Sequence, residues 1–193
     1  PRAKALISPS FKEAWSIPFG VALGREGREG HQLALDFDAT PGLLVVGTAG
    51  SGKSVSLNAM STGALERGFE LAIGDVPHKA VDFTWVKKYC RPGGFGCASP
   101  EATLTMLRMV YEEGQRRADL LAEHDVQKVQ DLPAAVRPAP ILVVLDEVTG
   151  MFALEDVPKG IPKDHPLVQE ALQKNLVIQM IKSTVAKIPA ELR

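Results

Sequence analysis

Residues 47–54, Gly-Thr-Ala-Gly-Ser-Gly-Lys-Ser, satisfy G-x-x-x-x-G-K-[ST] at every position, and no other stretch constrains this chain as much. Directly before them, residues 43–46 (LLVV) are a short apolar, partly β-branched run. Directly after them, residues 55–67 have helical spacing and stop at Gly68. The pattern predicts a strand, a glycine-rich loop and a helix. In that setting Gly47, Gly50 and Gly52 permit positive φ and close approach of a ligand, so that consecutive N–H groups turn inward as an anion nest. The unpaired N–H groups and positive dipole end of the following helix favour phosphate there. Gly47, Thr48, Ala49, Gly50, Ser51, Gly52, Lys53, Ser54 and Val55 are therefore the expected nucleotide-binding set. Within it Lys53 reaches the β and γ phosphates, and the Ser54 hydroxyl is placed to ligate Mg²⁺.

About ninety residues on, the Pro-rich stretch 132–140 leads into Ile-Leu-Val-Val-Leu-Asp146-Glu147. Five consecutive aliphatic residues bounded by prolines predict a strand buried on both faces, hence a parallel sheet covered by helices. The two acids at its carboxyl end form a Walker B element. Asp146 is the expected second Mg²⁺ ligand, and Glu147 is expected to orient and polarise the attacking water. With Lys53, Glu147 makes up the expected catalytic pair.

Between these motifs, residues 70–76 (ELAIGDV) read as another core strand ending in Asp75 and followed by Pro77, His78 and Lys79. Asp75 and Lys79 would then lie at the ligand-binding rim of an open α/β sheet, with His78 as an ordinary loop residue. Residues 91–96 (RPGGFG) are expected to be irregular. Ser99, Pro100 and Glu101 announce a helix with Leu104, Leu107, Val110 or Tyr111, Ala118, Leu121 and Ala122 on its apolar face. A last helix is expected over residues 167–188, with Leu167, Leu172 and Leu176 among its apolar positions. Near the amino end, residues 21–23 and 31–37 read as two strands around a loop whose Gly24, Gly27 and Gly30 suit a hairpin.

The chain is 193 residues long with 45% hydrophobic and 23% charged residues, enough for a buried core. No apolar run approaches the roughly eighteen residues of a membrane span, and no signal-peptide pattern is present. Its net charge of −1 provides no global basic footprint, which argues against a dedicated DNA-reading module and less against a motor. Cys90 and Cys97 lack C-x-x-C spacing and read as buried or free thiols in a reducing cytoplasm.

Together these pieces resemble the motor domain of the FtsK/SpoIIIE family of DNA translocases. The resemblance runs through residues 17–24 (IPFGVALG), the extended loop region from Gly42 through Val55, Leu57, Asn58, Ala59 and Met60, the helix ending in Glu112-Glu-Gly-Gln-Arg-Arg117, and Leu142 to Glu147. It implies an α/β, RecA-like P-loop NTPase whose mainly parallel sheet is flanked by helices, with a small N-terminal β hairpin. On this reading residues 1–40 lead into the motor and residues 41–193 form an ATPase core that is C-terminally incomplete, because the family's last core strand and its sensor residues do not follow. Further implied are ATP and Mg²⁺ as cofactors, double-stranded DNA as partner, a ring that is a hexamer, and an arginine supplied by a neighbouring subunit, with Arg116 or Arg117 as candidates. A bacterial cytoplasm follows from the resemblance, and with no membrane anchor and no winged-helix DNA-reading module in the sequence the chain looks like a solitary motor of phage, plasmid or integrated-element origin. Departures lie in Asp75-Val-Pro-His-Lys79, where the family has Pro-Lys close behind the aspartate, and in Val148-Thr-Gly150, where it has further acids. Two alternatives stay open: a related ATPase for conjugative DNA transfer or type VII protein secretion, and a nucleotide-binding scaffold subunit that does not hydrolyse ATP.

Overall fold

A computed structural model of the chain describes residues 16–22, 31–37, 39–40, 42–48 and 50–191. The expected hairpin loop and Ala49 lie outside these residues. The chain forms two compact units, one of Pro1–Leu71 with Pro140–Leu142 and one of Ala72–Ala139 with Val143–Arg193.

In the first unit, β1 (Ser16–Ala22) pairs antiparallel with β2 (His31–Asp36), Ser16 opposite Asp36 and Ala22 opposite His31. The register slips between Pro18 and Gly20. Proline cannot donate to a ladder, and a bulge is where a strand tolerates it. β1 starts at Ser16, ahead of the expected start at residue 21. Helix α1 (Lys53–Glu66) buries Leu57, Met60, Ser61 and Ala64 along one stripe. It packs on β1 at Gly63, where a Cβ would come within 3.2 Å of Ile17 Cγ2 and 3.3 Å of Pro18 Cδ. Gly68, at φ 76°, ends the helix as expected, and the Phe69 N–H returns to the Ala64 carbonyl at 3.0 Å.

Residues 43–46 are not a strand, contrary to expectation: they pair with no strand among the described residues, and Leu44 and Val46 are each 82% exposed. Aliphatic composition favours extended backbone, but a strand exists only where a neighbour accepts its N–H groups and donates to its carbonyls.

The sheet of three parallel strands has the order β4, β3, β5, with β3 (Glu70–Gly74) between β4 (Cys90–Phe95) and β5 (Ile141–Leu145). The Glu70 N–H donates to the Pro140 carbonyl at 2.8 Å and the Asp146 N–H to that of Gly74 at 2.9 Å. Central position explains why Leu71, Ala72 and Ile73 are fully buried. Gly74 is the tight point, since a Cβ there would meet Leu145 Cδ2 and Met106 Cε at 2.9 Å.

Two expectations fail in this sheet. Residues 91–96 are largely β4 rather than irregular, because an edge position tolerates Pro92 and the positive φ of Gly93. β5 is not buried on both faces: Leu142 and Val144 are buried whereas Ile141, Val143 and Leu145 are only half-buried, as suits the last strand in this order.

Between β3 and β4 the chain runs through a 3₁₀ segment (Ala80–Tyr89) that buries Phe83 and Val86, three residues apart on one face. Helix α2 (Pro100–Glu123) starts as its sequence announces. Ser99 Oγ accepts from the Ala102 N–H at 3.2 Å, Pro100 takes the first position and Glu101 lies in the first turn. Its apolar stripe is buried at Leu104, Met106, Leu107 and Val110, but Ala118 and Ala122 are exposed. Helix α3 (Val148–Met151) is one turn. Helix α4 (Pro166–Glu191) packs on α2 through a face that includes Val177, Ile178 and Ile181, whereas Leu167, Leu172 and Leu176 are about half exposed. Burial pushes the thiols of Cys90 and Cys97 up to about 11 and about 12, so both stay protonated at neutral pH.

An ionic cluster braces α2. Glu113 accepts from Arg116 Nε and Nη2 at 2.8 and 2.7 Å and from Arg117 Nε at 2.7 Å. Arg117 Nη2 also donates to the Ala139 carbonyl, just before β5. The Arg116 guanidinium, joined by Arg117, holds the Glu113 carboxyl at about 2 against partial desolvation. A depressed folded-state pKa stabilises above the unfolded value, 4.5, and that contribution is lost as pH falls toward 2. With solvent screening at the half-exposed Arg116, its size is about 2 kcal/mol. Urea unfolding at pH 7 and pH 2.5 should accordingly show a larger loss of stability in the wild type than in Glu113→Gln, and equal losses would refute this role.

Candidate functional site

The candidate residues fall into two groups, one in each unit. The first is the loop before α1. Gly50 and Gly52 have φ of 80° and 89°, in the left-handed region where any side chain would strain the backbone. A Cβ on Gly47 would collide with the Ser51 side chain. The Ser51 N–H donates to the Thr48 carbonyl at 3.1 Å, closing the turn. Gly52 caps α1 without a side-chain acceptor, Lys53 is the first helical residue, and the first turn holds no acid. The cap therefore leaves α1's leading N–H groups without a capping side chain. The positive end of the helix dipole and the Lys53 ammonium add charge of the same sign, so an anion is favoured here. Ser54 and Val55 follow in the first turn; Val55 is 73% exposed, and the Ser54 carbonyl accepts from Asn58 Nδ2 at 3.0 Å.

The second group sits at the carboxyl ends of β3 and β5. Asp75 and Asp146 are 1% and 7% exposed, and each carboxylate turns back on the next residue. Asp75 Oδ1 accepts from the Val76 N–H at 2.7 Å, and Asp146 Oδ1 from the Glu147 N–H at 2.8 Å. The two buried carboxylates thus directly follow neighbouring strands, β3 and β5, and make the same local bond. Glu147 caps α3 in the left-handed conformation, φ 46° and ψ 46°. Its Oε1 accepts from Thr149 Oγ1 at 3.2 Å and its Oε2 lies 3.0 Å from Lys79 Nζ. Lys79 thus meets the acidic end of β5, while His78 is exposed. The contact with Thr149 had no signal in the sequence, because it depends on the turn of α3. Arg117, one of the two candidate finger residues, is committed to Glu113 and Ala139, whereas the Arg116 side chain is 56% exposed.

A parallel α/β sheet in one unit and a glycine-rich loop that caps a helix in the other are the features of one class, the P-loop NTPase fold. The chain belongs to the FtsK/SpoIIIE family, whose model matches residues 4–155. It is 29% identical over 155 residues to the DNA translocase FtsK of Helicobacter pylori, covering 76% of this chain and 18% of that protein. To the DNA translocase FtsK of Tropheryma whipplei it is 29% identical over 174 residues, covering 75% and 22%. A sporulation regulatory protein of Streptomyces azureus is 38% identical over 56 residues, 29% of this chain and 18% of that one. The chain thus spans about a fifth of the length of these relatives. Among solved structures, the conjugation coupling protein TcpA, in monomer form with ATPγS, superposes with a TM-score of 0.67 at 20% identity, over 92% of this chain and 46% of that chain. That likeness is one of fold. Among the described residues, no helix is long and apolar enough to cross a membrane.

Proposed function

We propose that the chain is the ATP-hydrolysing part of a motor that moves double-stranded DNA, working as a ring, a hexamer. The observation that carries the nucleotide half of this reading is the left-handed Gly50 and Gly52 pair capping a helix that opens with Lys53 and has no acid in its first turn. Gly47, Thr48, Gly50, Ser51, Gly52, Lys53, Ser54 and Val55 cradle the phosphates of ATP in this reading. Ala49, outside the described residues, completes the set. Ser54 and Asp146 would hold Mg²⁺, which when bound neutralises charge on the phosphates. A hydroxyl and a buried carboxylate fit that ion, because Mg²⁺ at nucleotide sites takes one or two protein oxygens and fills its remaining positions from phosphate and water. Glu147 accepts the proton side of the attacking water, and Lys53 holds the charge that builds on the phosphoryl group. The DNA half of the reading rests on family membership. A bacterial cytoplasm is proposed on the same ground. The N-terminal residues 1–40 would lead into a motor core of residues 41–193.

The test is ATPase rate against protein concentration, with and without duplex DNA. A concentration threshold is expected, since a ring completes each site from two subunits. Stimulation by DNA is expected to fall steeply with salt, as phosphate contacts release counterions. Indifference to DNA would assign a protein cargo, and tight ATP binding without turnover at any concentration would leave a scaffold role.

A further inference from the structure

Glu147 has a conformation that the chain maintains at a cost. A left-handed backbone is strained at a non-glycine residue, because Cβ crowds the carbonyl oxygen that follows. The Glu147 side chain packs closely against Gly150, where a Cβ would lie 3.1 Å from both Glu147 Cγ and Val76 Cγ1. The carboxylate that results is held at both oxygens, by the Thr149 hydroxyl at 3.2 Å and the Lys79 ammonium at 3.0 Å. Lys79 comes from the turn after β3, where its own N–H donates to the Val76 carbonyl at 3.0 Å.

We infer that Lys79 is a positioning residue for Glu147, setting the plane of the carboxylate that acts on water. The inference rests on the reading of Glu147 given above. An ion pair whose lysine side chain is 62% exposed adds little to stability, so fold stability does not account for it. Orientation does. The terminal torsion of glutamate is broad and roughly two-fold, so one donor on Oε1 leaves the carboxylate plane free to turn. A second donor on Oε2, from a different element, removes that freedom. A base must lie within hydrogen-bond reach of its proton in the correct direction, and small misplacements are costly in rate.

The experiment compares the full chain with Lys79→Ala and Lys79→Arg, measuring steady-state ATP hydrolysis and equilibrium binding of an ATP analogue. Lys79→Ala is expected to lower kcat about tenfold and to leave KM and analogue affinity within about twofold. Lys79→Arg, which keeps a cation within reach, is expected to recover most of the rate. An unchanged or raised kcat in Lys79→Ala overturns the inference. So does a parallel loss of analogue affinity, which would place Lys79 on phosphate, and so does failure of arginine to rescue. Glu147→Gln run alongside separates the two levels. If it hydrolyses like the wild type, the reading of Glu147 itself falls; if it is inactive while Lys79→Ala is normal, only the role of Lys79 falls.

Discussion

Glu147→Gln should bind ATP with wild-type affinity and lose turnover by about three orders of magnitude, within the span that a positioned general base contributes. Glutamine keeps the shape of the side chain and one acceptor oxygen, so the Thr149 hydroxyl can still be accepted and α3 keeps its cap. What disappears is the negative charge that draws a proton from water and balances Lys79. The half-buried Glu147 lies next to Asp146, which is only 7% exposed, so the substitution removes one of two neighbouring charges and leaves the carboxylate assigned to Mg²⁺ in place. Phosphate release under saturating ATP, read beside equilibrium titration with a fluorescent analogue, separates the two effects. A rate within tenfold of wild type would remove Glu147 from the mechanism.

Lys53→Ala should act at the earlier step, weakening nucleotide binding about a hundredfold, the range expected when a charge-assisted contact to phosphate is removed. The fold should not suffer. Lys53 is the first residue of α1, where alanine is an excellent helix former and where a cation is opposed by the dipole's positive end. The thermal midpoint without nucleotide should therefore stay level or rise slightly, while the rise produced by ATP in the wild type should vanish. Affinity within threefold of wild type would overturn the assignment. The contrast between the two variants is itself informative, because one lesion lies in the first unit and the other in the second.

How much of this was legible in advance varies with the range of the interaction. The loop was legible in outline: positive φ at Gly50 and Gly52 is a local consequence of residue type, whereas Gly47 is not among the glycines with positive φ and α1 opens at Lys53, two residues before the expected 55. The Ser99, Pro100 and Glu101 start of α2 was legible for the same reason. Composition misled where pairing decides. Four aliphatic residues before Gly47 resemble a strand and have no strand partner among the described residues, while RPGGFG resembles a loop and lies at the edge of a sheet. Periodicity misled on the helices in a milder way. It identified α2 and α4, but Leu167, Leu172 and Leu176 prove half exposed because burial depends on which neighbour covers a face.

By itself the sequence determined the glycine-rich loop, the acidic end of β5, helices α2 and α4 and the family, because each is written in residue types along the chain. Only the tertiary structure decided that Lys79 and Thr149 hold the two oxygens of Glu147, that Arg117 is spent on Glu113 and Ala139, and that β3 lies between β4 and β5. These depend on chain segments up to about seventy residues apart meeting at particular angles, and hydrogen-bond geometry of a few tenths of an ångström is settled by packing rather than by composition.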